Sequence, residues 1–287
     1  MSRLKSYLAN RVANISQPMF FRIAYFHNRG HFLNLKKPKD ISEIWIKKLL
    51  DGEFNSISYL ADKYAVRSFV EEKGYPKILV PLLGCWEDSK DINFDSLPDK
   101  FALKMNFGSG MNIICMDKTA IDEDNIRKQL NEWMKVSSYA HSERHYDLIP
   151  HKIICESFID DGNGGFPIDY KFMCLKGKPF CVLACGHRES GHAEYLPYSL
   201  NWKPLFEYTK TGHKCRVIEK PKHFSEMLEI ASALSAGIDL VRVDLYDTPQ
   251  KIIFGEMTLT PAGCIFHNWS QKALDDMGDF YRKQLLR

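Results

Sequence analysis

The sequence has no apolar run that approaches the length of a membrane-spanning helix. Its first residues, Met-Ser-Arg-Leu-Lys, also carry no apolar core of a signal peptide. These two absences favour a cytoplasmic protein. The surplus of positive charge is small, because 39 Lys and Arg residues are balanced by 36 Asp and Glu residues. A nucleic-acid-binding protein has a much stronger basic footprint, so we expect no nucleic-acid partner.

Cysteine pairs with the Cys-x2-Cys spacing are missing as well. The eight cysteines follow no disulfide framework, and several stand in apolar runs, which favours reduced and buried thiols. The stretch that contains Cys181, Cys185, His187 and His192 is the best zinc candidate. Its spacing differs from the usual Cys-x2-Cys pairs, so buried cysteines on a strand explain it better.

No internal repeat or low-complexity linker interrupts the 287 residues, whose composition is that of a soluble globular protein. Apolar periodicity predicts helices in residues 1–30, 40–51, 59–73, 123–135 and 222–236 and from residue 271. Strands are predicted at residues 78–81, 101–105, 152–157, 169–175, 179–185, 241–246 and 251–257. Helices interleaved with antiparallel hairpins predict the α+β class.

The stretch VRVDLYDTPQKIIFGEMTLTPAG, residues 241–263, is the most informative. Alternation places Arg242 and Asp244 on one face of a strand, and the turn after it brings Glu256 near them on the returning strand. Two carboxylates side by side repel unless a cation lies between them. The alternative is an exposed strand face with a salt bridge from Arg242.

A second stretch, FALKMNFGSGMN, joins a strand that carries Lys104 to a glycine-rich loop. Glycines let backbone amides approach an anion, and the lysine adds charge, so the pattern is typical of phosphate binding. It is not a Walker A loop, because the lysine precedes the glycines. A hairpin turn beside an exposed lysine is the alternative.

Three weaker patterns place polar residues at strand ends or on one face of a helix. In IICESFID, Glu156 ends an apolar strand where main-chain groups could hold an adenine ring; an exposed glutamate is the alternative. In PIDYKF, Asp169 could bind ribose and Lys171 phosphate, or the two could form an ion pair. Lys63 and Arg67 share a helix face that is either a phosphate-directed patch or simply solvated.

The order of these motifs resembles that of the ATP-grasp superfamily, and most closely its teichuronopeptide-biosynthesis (TupA-like) branch. The segments that carry the resemblance are LNLKKPKDISEIWIKKLL, ADKYAVRSFVEEKG, LPDKFALKMNFGSGMNIIC, DYKFMCLKGKP and VRVDLYDTPQKIIFGEMTLTPAG. The resemblance runs from about Leu33 to Gly263. It implies an ATP-grasp fold with the ATP site between two α+β lobes and an added N-terminal helical segment. The implied divisions are residues 1–58, an N-terminal helical region; 59–100, the N-terminal lobe; 101–160, a central subdomain with the glycine loop; and 161–287, a C-terminal lobe with the metal site.

The resemblance also implies a role for each matching residue. ATP phosphates would contact Lys63 and Lys104 under a mobile loop of Gly108, Ser109 and Gly110, with Lys171 a weaker phosphate ligand. Adenine would lie against Glu156 and the backbone of Ser157, Phe158 and Ile159, and ribose against Asp169. Arg242 would stabilise the transferring phosphoryl group and act with Lys63 and Lys104 in catalysis. Magnesium, two ions by the family pattern, would be held by Asp244, Glu256 and Thr258.

Two positions depart from the family pattern. ATP-grasp enzymes usually have Asn where Thr258 stands, and a hydroxyl is a poorer magnesium ligand than an amide oxygen. The branch often has His where Phe107 stands, so a contact of that histidine with phosphate or substrate would be lost here.

The implied activity is an ATP- and magnesium-dependent carboxylate–amine ligase that amidates a uronic acid of a bacterial surface polysaccharide (capsule, O-antigen or teichuronopeptide) or its precursor. The amine would be an amino acid or another amine. The alternatives are a glycosyltransferase of polysaccharide biosynthesis, for which Asp244-Leu-Tyr-Asp247 has the wrong metal-binding spacing, an ATP-grasp kinase acting on a non-carboxylate acceptor, and a nucleotide-binding module without chemistry. Peripheral association of the N-terminal helix with membrane polysaccharide machinery, and the oligomeric state, are left open.

Overall fold

The computed structural model describes residues 16–136, 143–162, 165–187, 193–210 and 215–286. The α-helices in these ranges are α1 Gln17–Arg29, α2 Ile41–Leu50, α3 Val66–Glu72, α4 Glu123–Trp133, α5 Phe224–Ser235 and α6 Gln271–Leu285. The strands are β1 Leu82–Trp86, β2 Phe101–Met105, β3 Asn112–Cys115, β4 Ile153–Ser157, β5 Asp169–Leu175, β6 Lys178–Gly186, β7 Glu194–Tyr198, β8 Leu240–Asp247 and β9 Ile252–Thr258. Short 3-10 helices lie at Asn55–Ala61, Pro76–Ile78, Ser89–Asp91, Phe94–Ser96, Lys118–Ala120, Arg144–Leu148, Phe206–Tyr208 and Pro261–Cys264.

The strands form two antiparallel sheets. The first has the order β1-β4-β2-β3, and the second has the order β7-β6-β5-β8-β9. Apolar side chains of both sheets and of the helices join one continuous core. Helices packed on antiparallel sheets confirm the α+β prediction.

Most predicted elements are found within one to three residues of their expected bounds, and three expectations need correction. The helix predicted over residues 59–73 is divided into the 3-10 helix Asn55–Ala61 and α3, so Lys63 lies in the turn between them. The strand predicted at residues 78–81 begins instead at Leu82. Strands β3 and β7 have no counterpart among the predicted strands. Residues 1–15 of the predicted N-terminal helix and His192 of the zinc stretch lie outside the described residues.

The N-terminal helices pack beside the second sheet and against α6. Asp40 caps α2 by accepting a hydrogen bond from the Glu43 amide at 2.9 Å, and the Tyr25 hydroxyl of α1 donates to Asp40 at 2.5 Å. Gly278 of α6 lies so close to this segment that a Cβ atom there would be 2.1 Å from the Lys39 carbonyl oxygen. The contact therefore requires glycine, and it fixes the N-terminal segment to the body of the protein.

Candidate active site

Six predicted site residues share one face of the second sheet. They are Asp169 and Lys171 on β5, Arg242 and Asp244 on β8, and Glu256 and Thr258 on β9. Side chains two residues apart on a strand point to the same face. The register pairs Lys171 with Asp244, Asp244 with Glu256, and Arg242 with Thr258, so three adjacent strands bring these groups together.

Arg242 bridges the two carboxylates of this face. Its Nε and Nη2 atoms donate to Asp244 Oδ1 and Oδ2, each at 2.6 Å, and Nη2 also donates to Glu256 Oε1 at 2.8 Å. The hairpin therefore contains the cation that a close acidic pair requires. Asp244 is buried, whereas the Glu256 side chain keeps 35% of its exposure.

The surrounding cations keep Glu256 ionised. Burial alone would raise its pKa, but the charges of Arg242, Lys63 and Lys171 hold the pKa of Glu256 at about 2. Thr258 Oγ1 also donates a hydrogen bond to Glu256 Oε1 at 2.7 Å. A partly exposed and fully ionised carboxylate results at the edge of the cluster.

Lys171 links β5 to the same carboxylates. Its ammonium donates to Asp244 Oδ2 at 2.6 Å and to Asp169 Oδ2. Burial and then the negative charge of Asp244 raise the pKa of Asp169 to about 6, against the opposing effect of Lys171. The described face thus combines three carboxylates with two cations.

The first sheet presents a different charge arrangement. Lys104 Nζ on β2 donates to Glu156 Oε2 on β4 at 2.7 Å, and Arg67 Nη1 on α3 donates to Glu156 Oε1 at 3.2 Å. Arg67 is further fixed by a bond to the Val80 carbonyl at 2.7 Å. One carboxylate therefore holds two cations, and Arg67 belongs to this ion-pair group rather than to a solvated helix face.

Lys63 lies between the two sheets. Burial lowers its pKa. The charge of Glu256, on the second sheet, raises this pKa, whereas on the first sheet Lys104 lowers it and Glu156 raises it. Its ammonium donates to the Gly108 carbonyl at 2.8 Å, and its backbone amide donates to the Asn106 carbonyl at 2.8 Å. Among the described residues, no carboxylate lies within ion-pair distance of its ammonium. A bound anion could therefore become its counter-ion.

The turn that carries Lys63 is fixed by two buried polar residues that the sequence reasoning missed. Asp62 Oδ1 accepts the amides of Tyr64 and Ala65 at 2.8 and 3.2 Å and the side-chain amide of Asn106 at 2.9 Å. Asn106 follows the last residue of β2 and begins the glycine loop. Asp62 and Asn106 therefore tie Lys63 to that loop.

The glycine loop closes the hairpin between β2 and β3. Gly108 and Gly110 have φ angles of +66° and +77°, a region that residues with a Cβ rarely adopt. Ser109 and Gly110 are exposed. The loop therefore lies over Lys63 with its outer residues open to solvent.

The predicted adenine residues follow directly on β4. Ser157, Phe158 and Ile159 are each partly exposed, and the Ser157 amide is already used by the Pro81 carbonyl at 3.0 Å. Both carboxylate oxygens of Glu156 are held by cations. The geometry therefore makes Glu156 a residue that positions Lys104, and leaves any contact with adenine to the backbone after it.

The segment after β9 has an unusual backbone. Ala262, Gly263, Cys264 and Phe266 all have φ between +51° and +63°. Distant side chains hold it in place: the Arg29 guanidinium donates to the Ile265, Phe266 and Trp269 carbonyls at 2.6–2.9 Å, and Ser42 Oγ donates to the Cys264 carbonyl at 2.5 Å. Strain of this kind persists only where the surroundings impose it, and it often marks a functional site.

A half-buried acid, Glu143, lies beside the same segment. Glu143 accepts a hydrogen bond from Thr260 Oγ1, and burial raises the pKa of Glu143 to about 7. The pKa of the buried Tyr146 is raised by burial and by the charges of Glu143 and Glu256, and Arg242 acts against them. Tyr146 thus lies between Glu143 and the carboxylate cluster. The sequence contained no local signal for Glu143, because it stands alone in a loop.

The two departures from the family pattern have clear locations. Thr258 is buried beside Glu256, to which it donates. Phe107 is buried, with its ring stacked on that of His151 at a centroid distance of 3.6 Å. Residue 107 therefore packs into the protein interior.

The chemistry of the donors fits magnesium. Asp244 and Glu256 supply carboxylate oxygens, the ligands that Mg²⁺ prefers. Asp244 Oδ2 and Glu256 Oε1 each already accept two hydrogen bonds, so Asp244 Oδ1, which accepts one, and Glu256 Oε2 are the oxygens that could hold the metal. The described ranges contain no group of three His, Cys, Asp or Glu residues that could hold a metal by themselves. Two carboxylates completed by substrate phosphates are the usual arrangement for Mg²⁺.

The sequence profile of the TupA-like ATPgrasp family matches residues 42–281. The chain belongs to this family. Membership gives the protein an ATP-grasp fold and supports ATP-dependent carboxylate–amine ligation in general. Helix α1 precedes the matched region. No curated protein matches the sequence.

Solved ATP-grasp structures are similar only at a distance. D-alanine–D-alanine ligase from Bacillus anthracis, complexed with ATP, has a TM-score of 0.47 and 16% identity over 82% of this chain and 74% of its own. The ATP-grasp ligase PsnB, complexed with a phosphomimetic variant of its minimal precursor, Mg and ADP, has a TM-score of 0.42 and 11% identity over 85% of this chain and 66% of its own. The family assignment rests on the profile match alone. Across the described ranges, every helix is too short or too polar to cross a membrane.

Proposed function

We propose that the protein is an ATP- and magnesium-dependent ligase that joins a carboxylate to an amine through an acyl phosphate. The observation that carries the proposal is the contact of Arg242 with both Asp244 and Glu256, near the half-buried Lys63. This arrangement offers a carboxylate pair for a metal and fixed cations for a polyphosphate.

The proposed roles divide between the two sheets. Lys63 and Lys104 would hold the ATP phosphates, with Gly108, Ser109 and Gly110 closing over them. Asp244 and Glu256, with Thr258 at their side, would hold magnesium, which when bound neutralises charge on the phosphoryl oxygens. Arg242 would meet the phosphoryl group in transfer.

Two displacements make up the proposed reaction. A carboxylate oxygen of the substrate attacks the γ-phosphorus of ATP, the bond to ADP breaks, and an acyl phosphate forms. The amine nitrogen then attacks the acyl carbon, phosphate leaves, and the amine loses a proton as the C–N bond forms. Lys63, Lys104 and Arg242 are fixed by hydrogen bonds before the reaction, so they need little reorganisation during it.

The proposed substrate is a uronic acid of a bacterial surface polysaccharide or its precursor, and the proposed amine is an amino acid. The resemblance to the teichuronopeptide-biosynthesis branch supports this choice, and the match to the TupA-like ATPgrasp family agrees with that resemblance. An Asp-x-Asp triplet does occur, at Asp122-Glu-Asp124, but Asp122 caps α4 by accepting the Asn125 amide at 3.0 Å. The glycosyltransferase alternative therefore gains no support from that triplet.

The test measures phosphate release from ATP with magnesium across a panel of uronic acids and amino acids, with mass spectrometry of the products. The uronic acid is labelled with heavy oxygen in its carboxylate. We expect phosphate release that needs both substrates, an amide product, and one labelled oxygen in the released phosphate. A stable phosphorylated sugar without an amide would instead identify a kinase, and transfer from a sugar nucleotide without ATP use would identify a glycosyltransferase.

A further inference from the structure

Helix α1 presents an apolar stripe to solvent. Met19, Ile23 and Phe26 are 52%, 51% and 46% exposed, and their spacing places them on one side of the helix. Phe32, 83% exposed, adds to the stripe, because its ring lies 5.0 Å from that of Phe26. The opposite side of α1 is buried through Phe21 and Tyr25.

The same region is strongly cationic. The first 39 residues contain eight of the chain's 39 Lys and Arg residues and none of its 36 Asp and Glu residues, so the rest of the chain is net acidic. Arg22, Lys36 and Lys37 are exposed beside the stripe, and the nearest acids in the sequence, Asp40 and Glu43, are buried. Arg22 and Lys36 also line one open cleft together with Phe32, Leu33, Asn34 and Leu35.

We propose that this surface, formed by the outer side of α1 and residues 32–37, binds an anionic lipid bilayer. Exposed aromatic and aliphatic side chains flanked by cations are the composition of helices that lie in the membrane interface. Each Lys or Arg near an anionic surface adds to the attraction. Anionic lipid headgroups would pair with the cations of this surface, which has no exposed acid among residues 16–39. The rings of Phe26 and Phe32 would insert at the boundary between the headgroups and the acyl chains.

The surface lies close to the segment that follows β9. Arg29, at the end of the same helix, holds the strained segment that follows β9. A bilayer bound along α1 would therefore lie next to the element that supports the candidate metal site. The proposal goes beyond the ligase function and does not depend on it.

The test is cosedimentation of the full chain with vesicles, without nucleotide or substrate. We expect binding to vesicles of equimolar phosphatidylglycerol and phosphatidylcholine, little binding to phosphatidylcholine alone, and loss of binding at high salt. The double variant Phe26→Ser/Phe32→Ser should weaken binding about tenfold or more, because it removes apolar area that would be buried in the bilayer. The variant Arg22→Glu should also weaken binding about tenfold or more, because it reverses a charge.

Matched controls change exposed residues elsewhere. Leu148→Ser/Val217→Ser removes two side chains that are 54% and 58% exposed, and Lys128→Glu reverses an exposed charge on α4. These controls should bind like the wild type, and melting curves should show that all variants fold. A chain that lacks residues 1–15 should keep the dependence on Phe26 and Phe32.

Three results would overturn the proposal. The wild type could ignore anionic vesicles, which would leave a protein partner as the occupant of the surface. Binding could be equal for charged and neutral vesicles. Finally, the substitutions at positions 22, 26 and 32 could leave binding unchanged while removal of residues 1–15 abolishes it. That result would place the lipid contact outside this surface.

Discussion

The two sheets carry opposite charge arrangements, and Lys63 is close enough to both to be influenced by Glu256 on one and by Lys104 and Glu156 on the other. On the first sheet, the single carboxylate of Glu156 holds two cations, Lys104 and Arg67. On the second sheet, Asp169, Asp244 and Glu256 share two cations, Lys171 and Arg242. The first group therefore has a surplus of positive charge and suits an anion, and the second has a surplus of negative charge and suits a metal cation.

Lys63 shows why this difference matters. It is half-buried between the two groups, where loss of solvent lowers its pKa and the charge of Glu256 partly compensates. A buried charge without a close counter-ion is unfavourable in the free protein. Binding of a nucleotide phosphate would remove that cost, so the site is less stable when empty than when loaded.

The variant Glu256→Gln tests the charge difference between the two sheets with the largest expected effect. It removes the partly exposed charge of the second sheet and keeps the shape of the side chain, so we expect turnover to fall about a thousandfold or more. Phosphate release with saturating substrates measures this effect. The control Glu123→Gln removes a partly exposed carboxylate of α4 and should leave turnover unchanged. Normal turnover in Glu256→Gln, with its fold intact, would falsify the assignment of Glu256 to the metal.

Much of the second sheet's arrangement could be predicted from the sequence. The alternation of apolar and polar residues predicts that Arg242 and Asp244 share one face of a strand. The short turn after Asp247 predicts antiparallel pairing with the strand that contains Glu256, as observed. The family resemblance added the expected roles of Lys63 and Lys104. Local periodicity and short connections were enough there, because the partners lie close together in sequence.

Other features depend on contacts that the sequence does not encode locally. Lys63 was expected in a helix, but Asp62 and Asn106, which are 44 residues apart, hold it in a turn. Thr260 and Glu143 are 117 residues apart, and Arg29 contacts a carbonyl 240 residues away. No spacing rule connects residues at such distances, so these contacts could be found only in the folded chain.

The variant Lys63→Met tests whether the two charge groups meet at this residue. We expect the KM for ATP to rise about tenfold to a hundredfold, because a phosphate ligand is lost. We also expect the free protein to melt at a slightly higher temperature, because a half-buried cation without a close carboxylate is removed. Steady-state kinetics and melting curves measure the two effects. The surface variant Lys128→Met should change neither quantity, and a lower melting temperature with an unchanged KM would contradict the role.

The variant Glu143→Gln tests the half-buried acid next to the second group. Burial raises the pKa of Glu143 from 4.5 to about 7 in the folded protein. The folded state therefore holds this proton more tightly than the unfolded state, and the stability it confers is full below pH 4.5 and lost as the pH rises through 7. We expect Glu143→Gln to be more stable than the wild type at pH 8, by at most about 3 kcal/mol.

The pH series provides the check on this effect. The difference in free energy of unfolding between Glu143→Gln and the wild type should shrink as the pH falls toward 5. A difference that stays constant between pH 5 and 8 would show that Glu143 does not titrate in this range. Asp279→Asn, an exposed carboxylate on α6, serves as the control and should show no such trend.

The smallest effect concerns Thr258, where the second group departs from the family pattern. Its hydroxyl donates to Glu256 at 2.7 Å, and Val has nearly the same shape without the donor. Loss of one hydrogen bond to a charged group costs about 1.5–3 kcal/mol at a buried site and less at a partly exposed one. We therefore expect Thr258→Val to raise the magnesium concentration needed for half-maximal turnover several-fold, with little change in melting temperature. Thr258→Asn restores the usual amide and should lower that concentration. If Thr258→Val and Thr258→Asn have the same magnesium dependence as the wild type, residue 258 supports only the strand, and Asp244 and Glu256 hold the metal without it.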